Sequence, residues 1–434
     1  MTKFQIILTA VFGMFIIIGM VAFSMYRGTS VQKLSPVTIW GTVNQKSFND
    51  FLSVAQGESS NSALNVTYVQ VSEASFEKTL VEALASGRGP DAVLLPHTMV
   101  LKQAERIVAI PYTSLPERTY KDTFSQEAEL YLTSGGIIGL PFIVDPLVLY
   151  WNRDLFSAGF VATPPKYWSD LSTIVPKLTR KDERLNITKS AIAMGAYNNV
   201  DHAKEILSAL MLQAGTPITR FSGSTLQSEL ATSFGEVGYV PAQSAVDFFI
   251  SFSDTSKPTY TWNRSMPNAK DAFVAGDLAM YIGTASELSE IRSKNPNLNF
   301  DIAMLPQVKP GNNSQASTLT YGTMYGLSVL KMSRVVTATF ASIIELAGSG
   351  NVPALVQSMN LPPVRRDLLA VTQPDPYKTI FYNSALISRG WLDPDPIASD
   401  AIFNTIVQSV TTGRLSTQSA VSKAGQELRI LINQ

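Results

Sequence analysis

Strand-like and helix-like segments alternate near the start of the chain, and this alternation restricts the fold more than any other feature. Strands are predicted at residues 37–40, 64–71 and 91–95, with helices between them at 47–56 and 76–85. The first helix places four apolar residues on one face: Phe48, Phe51, Leu52 and Ala55. The pattern predicts an α/β fold with parallel strands and crossover helices, in which ligands bind outside the carboxyl ends of the strands.

An almost wholly apolar segment occupies residues 137–152. Pro141 and Pro146 interrupt it, and proline cannot donate to a central β ladder, so we expect two short strands joined by a crossover between lobes. Helices dominate after residue 163, and residues 311–314 (Gly-Asn-Asn-Ser) predict an exposed loop.

Residues 4–26 contain no charged side chain. A helix of this length spans about 34 Å, enough to cross a hydrocarbon core about 30 Å thick. A cleaved signal peptide has a shorter apolar region and a small-residue cleavage site, for which residues 22–24 (Ala-Phe-Ser) match poorly. We predict an uncleaved anchor followed by a polar linker at 29–36, with a cleaved signal as the alternative. The flanking positive charges barely fix orientation, but a short tail before a large domain favours an extracytoplasmic body.

Composition excludes several classes of function. Lys+Arg and Asp+Glu both total 34, and this neutrality argues against a nucleic-acid partner, which needs a basic surface. The absence of cysteine excludes disulfides, thiolate zinc sites, cysteine nucleophiles and a lipid-modified cysteine. There is no phosphate loop or dinucleotide turn, and neither His97 nor His202 adjoins a nucleophile motif. We therefore expect no enzyme activity, cofactor or metal. We interpret His97 as an ordinary loop residue and His202 as either cleft-facing or plain surface.

Asp145 is one acid within the apolar segment. An ionised carboxylate buried without partners is costly, so it should be hydrogen-bonded or line a wet cavity. It either accepts ligand hydroxyls or caps backbone N–H groups, and a catalytic role would need a second carboxylate that the sequence does not supply. We interpret Asp393 and Asp395 as loop and helix-cap residues rather than as ligand contacts.

Aromatic residues at strand ends and in loops form a second group of candidates. They are Trp40, Trp262, Tyr281, Tyr325, Trp391 and Phe403. Their flat faces suit the apolar C–H faces of pyranose rings, and tryptophan and tyrosine add a polar edge. Core packing would also explain each ring alone, whereas several rings on a two-lobe scaffold favour a binding cleft.

Short motifs follow one another in a fixed order over about residues 37–430. They are VTIWG from Val37, GPDAV from Gly89, GLPFIVDPLVLYWNRDLF from Gly139, PPKYW from Pro164, AFVAGDLAMYIG from Ala272, LPPV from Leu361, WLDPDP from Trp391 and GRLSTQSAVSKAGQEL from Gly413. Their order and spacing resemble the extracellular solute-binding proteins of ABC importers, in particular the carbohydrate-binding branch that includes the maltodextrin-binding type.

The resemblance implies a periplasmic-binding-protein type II fold, with two α/β lobes, three crossovers and a hinge, and the apolar run predicts one transmembrane helix before it. We assign residues 1–35 to the anchor and linker and 36–145 to lobe 1, to which about 308–350 return. Lobe 2 comprises 146–307, and about 351–434 complete lobe 2 and the hinge.

The resemblance also adds ligand-contact residues. Asp145 falls beside the first crossover, where the family often places a ligand-binding acid. Gln45 falls near a sugar-contacting loop position, and Ser286 and Phe403 fall near positions that often hold stacking tryptophans.

We therefore predict a monomeric, membrane-tethered extracellular protein that captures a sugar or oligosaccharide and delivers it to an ABC permease. The maltodextrin branch offers an aromatic, an acid and an arginine after its GPD motif. Here Leu95, Thr98 and Met99 occupy the approximately corresponding positions, so maltodextrin itself is disfavoured as the ligand. The alternatives are an extracytoplasmic sensor acting through a partner receptor, and a tethered hydrolase.

Overall fold

A computed structural model of the protein describes residues 34–57, 63–223, 225–233, 238–309 and 318–434. The predicted anchor at 4–26, most of its linker and the predicted loop at 311–314 lie outside the described residues. Within the described ranges, no helix combines the length and apolar character needed to cross a membrane.

The described chain alternates between strands and helices. The strands are β1 Val37–Gly41, β2 Val66–Gln70, β3 Ala92–Pro96, β4 Leu132–Thr133, β5 Gly136–Ile137, β6 Leu140–Asn152, β7 Arg180–Lys181, β8 Ile187–Ile192, β9 Thr219–Ser222, β10 Thr225–Ser228, β11 Leu278–Thr284, β12 Phe300–Met304, β13 Thr320–Val329 and β14 Ser388–Arg389. The α-helices are α1 Gln45–Gly57, α2 Phe76–Ala85, α3 Val100–Gln103, α4 Glu117–Thr123, α5 Arg153–Ala158, α6 Leu171–Leu178, α7 Ala203–Gln213, α8 Pro241–Ile250, α9 Ala269–Val274, α10 Leu288–Lys294, α11 Val336–Leu346, α12 Val352–Met359, α13 Arg366–Leu369, α14 Pro376–Leu386, α15 Pro396–Thr411 and α16 Thr417–Ile432.

Lobe 1 is built on the predicted alternation. β1 pairs in parallel with β2 and β3, and β13 pairs antiparallel with β3, which gives the strand order β2-β1-β3-β13-β6. The predicted face of the first helix is confirmed, because α1 buries its four apolar side chains, Phe48, Phe51, Leu52 and Ala55. The carboxyl ends of the parallel strands therefore meet at one edge of this lobe.

The segment around Asp145 is one continuous strand, β6, so the prediction of two short strands is wrong. Residues 140–146 pair with β13 alone among the named strands, and on their other side, within the described chain, only an isolated bridge joins Ile143 to Pro363, so the missing N–H of each proline costs little at this sheet edge. The ladder is irregular near Pro141, and Pro146 lies where the strand changes partners. Residues beyond Pro146 pair with β11 on one side and β12 on the other. β6 therefore carries the chain from lobe 1 into lobe 2.

Lobe 2 surrounds the second half of β6. β8 lies parallel to β11 on one side of β6, and helices α7, α8, α15 and α16 pack against one another. The chain returns to lobe 1 between β12 and β13. It re-enters lobe 2 after α14 and β14. Helix α14 contacts β6 and β12, and β14 pairs with β13. This two-lobe α/β arrangement places a junction between the lobes at residues 145–147.

The lobe boundaries given above stay predictions, and two helices bear on them. Helix α12 packs against α1, and α13 packs against α4, so both contact lobe 1 although they lie in the 351–434 range. The helices that follow β14 contact lobe 2.

Candidate ligand-binding site

Asp145 lies where β6 passes between the lobes. It is paired with Thr323 of lobe 1 in the β6–β13 ladder, and its Oδ1 accepts a 3.0 Å hydrogen bond from the Ser286 N–H of lobe 2. Asp145 is 9% exposed, and burial raises its pKa to about 6, although hydrogen bonds from Ser286 act in the opposite direction. At neutral pH the carboxylate is therefore ionised, and it has acceptor capacity beyond this one backbone contact.

Glu287 organises a charged cluster on the lobe 2 side. Its Oε1 lies 3.2 Å from both His202 Nε2 and Lys270 Nζ, and its Oε2 accepts a 2.9 Å hydrogen bond from the Tyr281 hydroxyl. Burial opposes ionisation of Glu287, but His202 and Lys270 outweigh it and hold the pKa at about 2. Burial likewise disfavours charge on His202, yet Glu287 raises its pKa to about 9. His202 is therefore an imidazolium at neutral pH, and its charge acts on Asp145.

The turn after β11 brings the Ser286 N–H to Asp145 and holds Glu287 at the same end of the strand. Residues Ala285–Glu287 form one 3₁₀ turn, closed by a capping box between Thr284 and Glu287. A side chain at Gly283 would place its Cβ 2.3 Å from Glu287 Oε2, so only glycine permits this close approach. The carboxyl end of β11 thus presents the Ser286 N–H and the Glu287 carboxylate together.

On the lobe 1 side, the predicted residues Trp40 and Tyr325 lie on β1 and β13 and are both partly buried. Tyr325 lies two residues along β13 from Thr323, the ladder partner of Asp145, and both burial and the Asp145 charge raise its pKa. Of the predicted residues, Asp145, Ser286 and Tyr325 therefore lie near the lobe junction, whereas β3 and β13 separate Trp40 from β6, and ligand contact by Trp40 stays a prediction.

Gln45 begins α1, and its amide is already engaged. Its Nε2 donates to the Tyr68 carbonyl at 2.6 Å, and its Oε1 accepts from the Gln70 N–H at 2.7 Å. These contacts hold the start of α1 against β2. Ligand contact by Gln45 stays a prediction.

Four predicted aromatic residues lie in the interior, each at most 1% exposed: Trp262, Tyr281, Trp391 and Phe403. Trp262 donates to Asn199 Oδ1 at 3.3 Å. Trp391 donates to Ser208 Oγ at 3.1 Å and stacks on Phe403 with centroids 6.0 Å apart. Core packing, the alternative considered above, accounts for these positions, and ligand contact by the four rings stays a prediction.

His97 is fully buried, so its interpretation as an ordinary loop residue is wrong. It opens a 3₁₀ turn directly after β3, where its Nδ1 accepts a hydrogen bond from the Met324 N–H at 3.2 Å. Its Nε2 lies 3.3 Å from the Tyr321 hydroxyl. Burial lowers the pKa of His97 to about 3, so the ring is neutral and structural.

Glu127 lies beside His97 and carried no recognisable signal in the sequence. The Ser388 hydroxyl donates to its Oε2, while its buried Oε1 has no hydrogen-bond partner and lies 3.7 Å from His97 Nδ1. Burial raises the pKa of Glu127 to about 8, although the Ser388 hydrogen bond lowers it. The folded chain therefore holds a proton here that an unfolded chain releases near pH 4.5.

Replacing Glu127 by glutamine should flatten the pH dependence of stability. Because the folded pKa lies above the unfolded one, the stabilisation is present below about pH 4.5 and is lost as pH rises towards 8, by up to about 1.4 kcal/mol per pH unit. Urea unfolding at about pH 5.5 and 7.5 gives the change in unfolding free energy with pH for wild type and for E127Q. Because the other titrating groups are the same in both proteins, the difference between the two slopes is due to Glu127. Equal slopes would show that Glu127 is already ionised in the fold.

Asp393 and Asp395 have the predicted loop and cap roles. Asp395 caps α15, accepting hydrogen bonds from the Ile397 and Ala398 N–H groups at 3.0 Å. Asp393 is fully buried and pairs with Lys204 at 2.6 Å, within lobe 2.

Comparison with known proteins identifies the family. The sequence profile of bacterial extracellular solute-binding proteins matches residues 54–377, and no curated protein matches the chain significantly. Among solved structures, a cyclo/maltodextrin-binding protein complexed with maltotetraose is 15% identical with a TM-score of 0.72, covering 92% of this chain and 98% of that one. A protein with mannotriose bound is 20% identical with a TM-score of 0.67, covering 90% and 99%. A solute-binding protein of an ABC transporter from Thermotoga lettingae, bound with α-D-tagatose, is 16% identical with a TM-score of 0.67, covering 92% and 100%. At these identities the structural likeness shows the fold, and the profile match over well over half of the sequence shows that the chain belongs to the bacterial extracellular solute-binding proteins.

Proposed function

We propose that the protein captures a neutral sugar or oligosaccharide between its lobes and delivers it to an ABC permease. The observation that carries the proposal is the Asp145 carboxylate at the lobe junction, with the partly buried Tyr325 two residues along β13 from Thr323, its ladder partner. A carboxylate accepts hydroxyl protons, and a ring face packs on the C–H face of a pyranose. The structural relatives with maltotetraose, mannotriose and tagatose bound support the same ligand class.

The charges of the site favour a neutral ligand over an anionic one. His202 and Lys270 both pair with Glu287, and Lys270 also pairs with Glu290, so both cations already have carboxylate partners in the protein. An anion would have to approach the Asp145 carboxylate, which is itself ionised at neutral pH and would repel it. Hydroxyl groups can donate to Asp145 without disturbing these pairs.

Binding would act by population shift. A ligand placed against Asp145 touches groups of both lobes only when the lobes are closed, so its binding energy favours the closed form. Rotation about the junction at residues 145–147 would separate Trp40 and Tyr325 from the Ser286 turn. Presentation of the closed form to the permease is the step that delivers the ligand.

We propose that residues 4–26 anchor the protein and hold this body on the extracytoplasmic side of the membrane. The uncharged run is long enough to span a bilayer, and a chain without cysteine cannot use a lipidated cysteine. The linker at 29–36 would then be a short tether between membrane and lobe 1.

A ligand screen on the full chain tests the function. The detergent should lack a sugar head group, and the panel should contain mono- and oligosaccharides, polyols, sugar phosphates and short peptides. We expect one neutral carbohydrate to stabilise the protein by about 2.7 kcal/mol at 100 times its Kd. A folded protein whose Tm no sugar or polyol changes would contradict the proposal, and a response to sugar phosphates alone would contradict the neutral ligand.

Affinity for that ligand should decrease in acid. Only ionised Asp145 accepts two or more hydroxyl protons, so binding should weaken about tenfold between pH 7 and 5 as the carboxyl is protonated around its pKa of about 6. His202 and Glu287, with pKa values of about 9 and 2, keep their charges over this range. Calorimetry at both pH values measures the change. The D145N variant should show a much flatter profile, and an identical profile would assign the titration to another group.

A further inference from the structure

An ion pair joins the two lobes near the edge where the parallel strands end. Lys102 Nζ, from α3 of lobe 1, lies 2.8 Å from Asp395 Oδ2, which precedes α15. The same ammonium lies 2.6 Å from Glu77 Oε2 in α2. Lys102 is thus shared between one acid of its own lobe and one acid of the other.

The two partners belong to bodies that move apart when a two-lobe protein opens. Helices α2 and α3 follow the carboxyl ends of β2 and β3, so Lys102 and Glu77 lie at the ligand-binding edge of lobe 1. Helix α15 packs on α7, α8 and α16 of lobe 2. Opening therefore stretches the bond between Lys102 and Asp395 and leaves the one to Glu77 intact.

The Asp395 carboxylate is rigidly positioned for this contact. Its Oδ1 caps α15, and its own N–H donates to Asp393 Oδ1 at 3.1 Å. Asp393 is in turn fixed by Lys204 and by the Ser399 hydroxyl, both bonded to its Oδ2. Because the cap occupies Oδ1, Oδ2 of Asp395 remains directed at Lys102.

Because the Lys102–Asp395 pair is partly buried, its interaction should be stronger than that of a fully exposed surface ion pair. The Lys102 and Asp395 side chains are 27% and 26% exposed, so solvent screens them only in part. Burial lowers the pKa of Lys102, but hydrogen bonds to Asp395 and Glu77 outweigh it and the pKa is raised. The interaction thus favours the charged lysine and the short distance between lobes.

We propose that Lys102 and Asp395 are positioning residues that form an interlobe latch, which biases the protein towards the closed form before ligand arrives and thereby sets ligand affinity. The inference rests on the proposed function in one respect, that the closed form is the one that binds. Since apparent Kd is the intrinsic Kd divided by the closed fraction, loss of the latch should weaken binding about three- to tenfold without changing any ligand contact.

The chain contains no cysteine, so an interlobe distance can be measured cleanly with two introduced labels. Lys78 and Ile397 adjoin the two ends of the latch, and their side chains are exposed, Lys78 by 80% and Ile397 by 74%. Spin labels in a K78C/I397C full chain, without ligand, report the separation of the lobes. We expect Lys102→Met and Asp395→Asn each to shift the distribution to longer distances. Asparagine can still cap α15, so the second variant removes the charge and keeps the helix start.

The control is Lys46→Met, which removes a lysine from a more exposed ion pair that is contained within α1. It should leave the distance distribution unchanged, and the K102M/D395N double variant should shift it no further than either single variant. An unchanged distribution in K102M, or an equal shift in K46M, would overturn the latch. This readout needs no ligand, so failure of the sugar screen and failure of the latch are distinct results.

Discussion

Replacing Asp145 by asparagine is expected to weaken ligand binding by roughly 10- to 100-fold with little loss of stability. A hydrogen bond to a charged group is worth about 1.5–3 kcal/mol, and the amide cannot accept on both sides as a carboxylate does. Asparagine keeps an oxygen for the Ser286 N–H, so the contact between β6 and the lobe 2 turn survives. Calorimetry with the ligand from the screen gives the affinity, and thermal unfolding gives the stability.

The alanine variant separates the two roles of Asp145. It removes the acceptor of the Ser286 N–H as well as the ligand contact, so it should lose stability in addition to affinity. Asp154, an exposed acid just beyond the far end of β6, provides the control, and D154N should bind like wild type. Wild-type affinity in D145N would remove Asp145 from the site and return it to the purely structural role.

Replacing Lys204 by methionine should destabilise the fold by about 3–5 kcal/mol. Lys204 is 6% exposed and Asp393 is fully buried, so the variant leaves a carboxylate in the interior without its counter-ion. Burial already raises the pKa of Asp393, and the charge of Lys204 opposes this effect. Urea unfolding near pH 7 measures the loss, which should shrink in acid because the stranded carboxyl is then protonated.

Two further variants test the cause. Lys189 pairs with Asp277 at the surface of lobe 2, with side chains 38% and 50% exposed, so K189M should cost about 1 kcal/mol or less. The K204M/D393N double variant removes the stranded charge and should recover part of the stability lost in K204M. A loss in K204M no larger than in K189M would mean that the Lys204–Asp393 pair contributes little.

The parts of the fold set by local pattern could be predicted from sequence. The apolar face of α1 and the bounds of α2 follow from helical periodicity, which residues close in sequence determine. The continuity of β6 could not, because whether Pro141 and Pro146 are tolerated depends on which edges of the strand are paired, and distant segments decide that.

The same distinction applies to the site. Asp145 could be recognised as a candidate site residue because an acid within an apolar run needs a polar partner in any fold. Glu287, Lys270 and Lys102 were missed because each is an ordinary charged residue until the tertiary fold brings its partner within 3.2 Å. Burial of rings such as Trp262 was equally hidden, since an aromatic at a strand end faces core or cleft according to what packs on it.

The single strand shared by both lobes limits how the protein can be recombined. β6 forms one edge of the lobe 1 sheet and an interior strand of the lobe 2 sheet. To exchange one lobe for that of a relative, the chain would have to be cut within the hydrogen-bonded ladder of β6 rather than in a linker. Each lobe alone would then expose unpaired backbone groups. Under the proposed function, ligand specificity should therefore be more readily altered by substitutions around the Ser286 turn and Tyr325 than by transplanting a lobe.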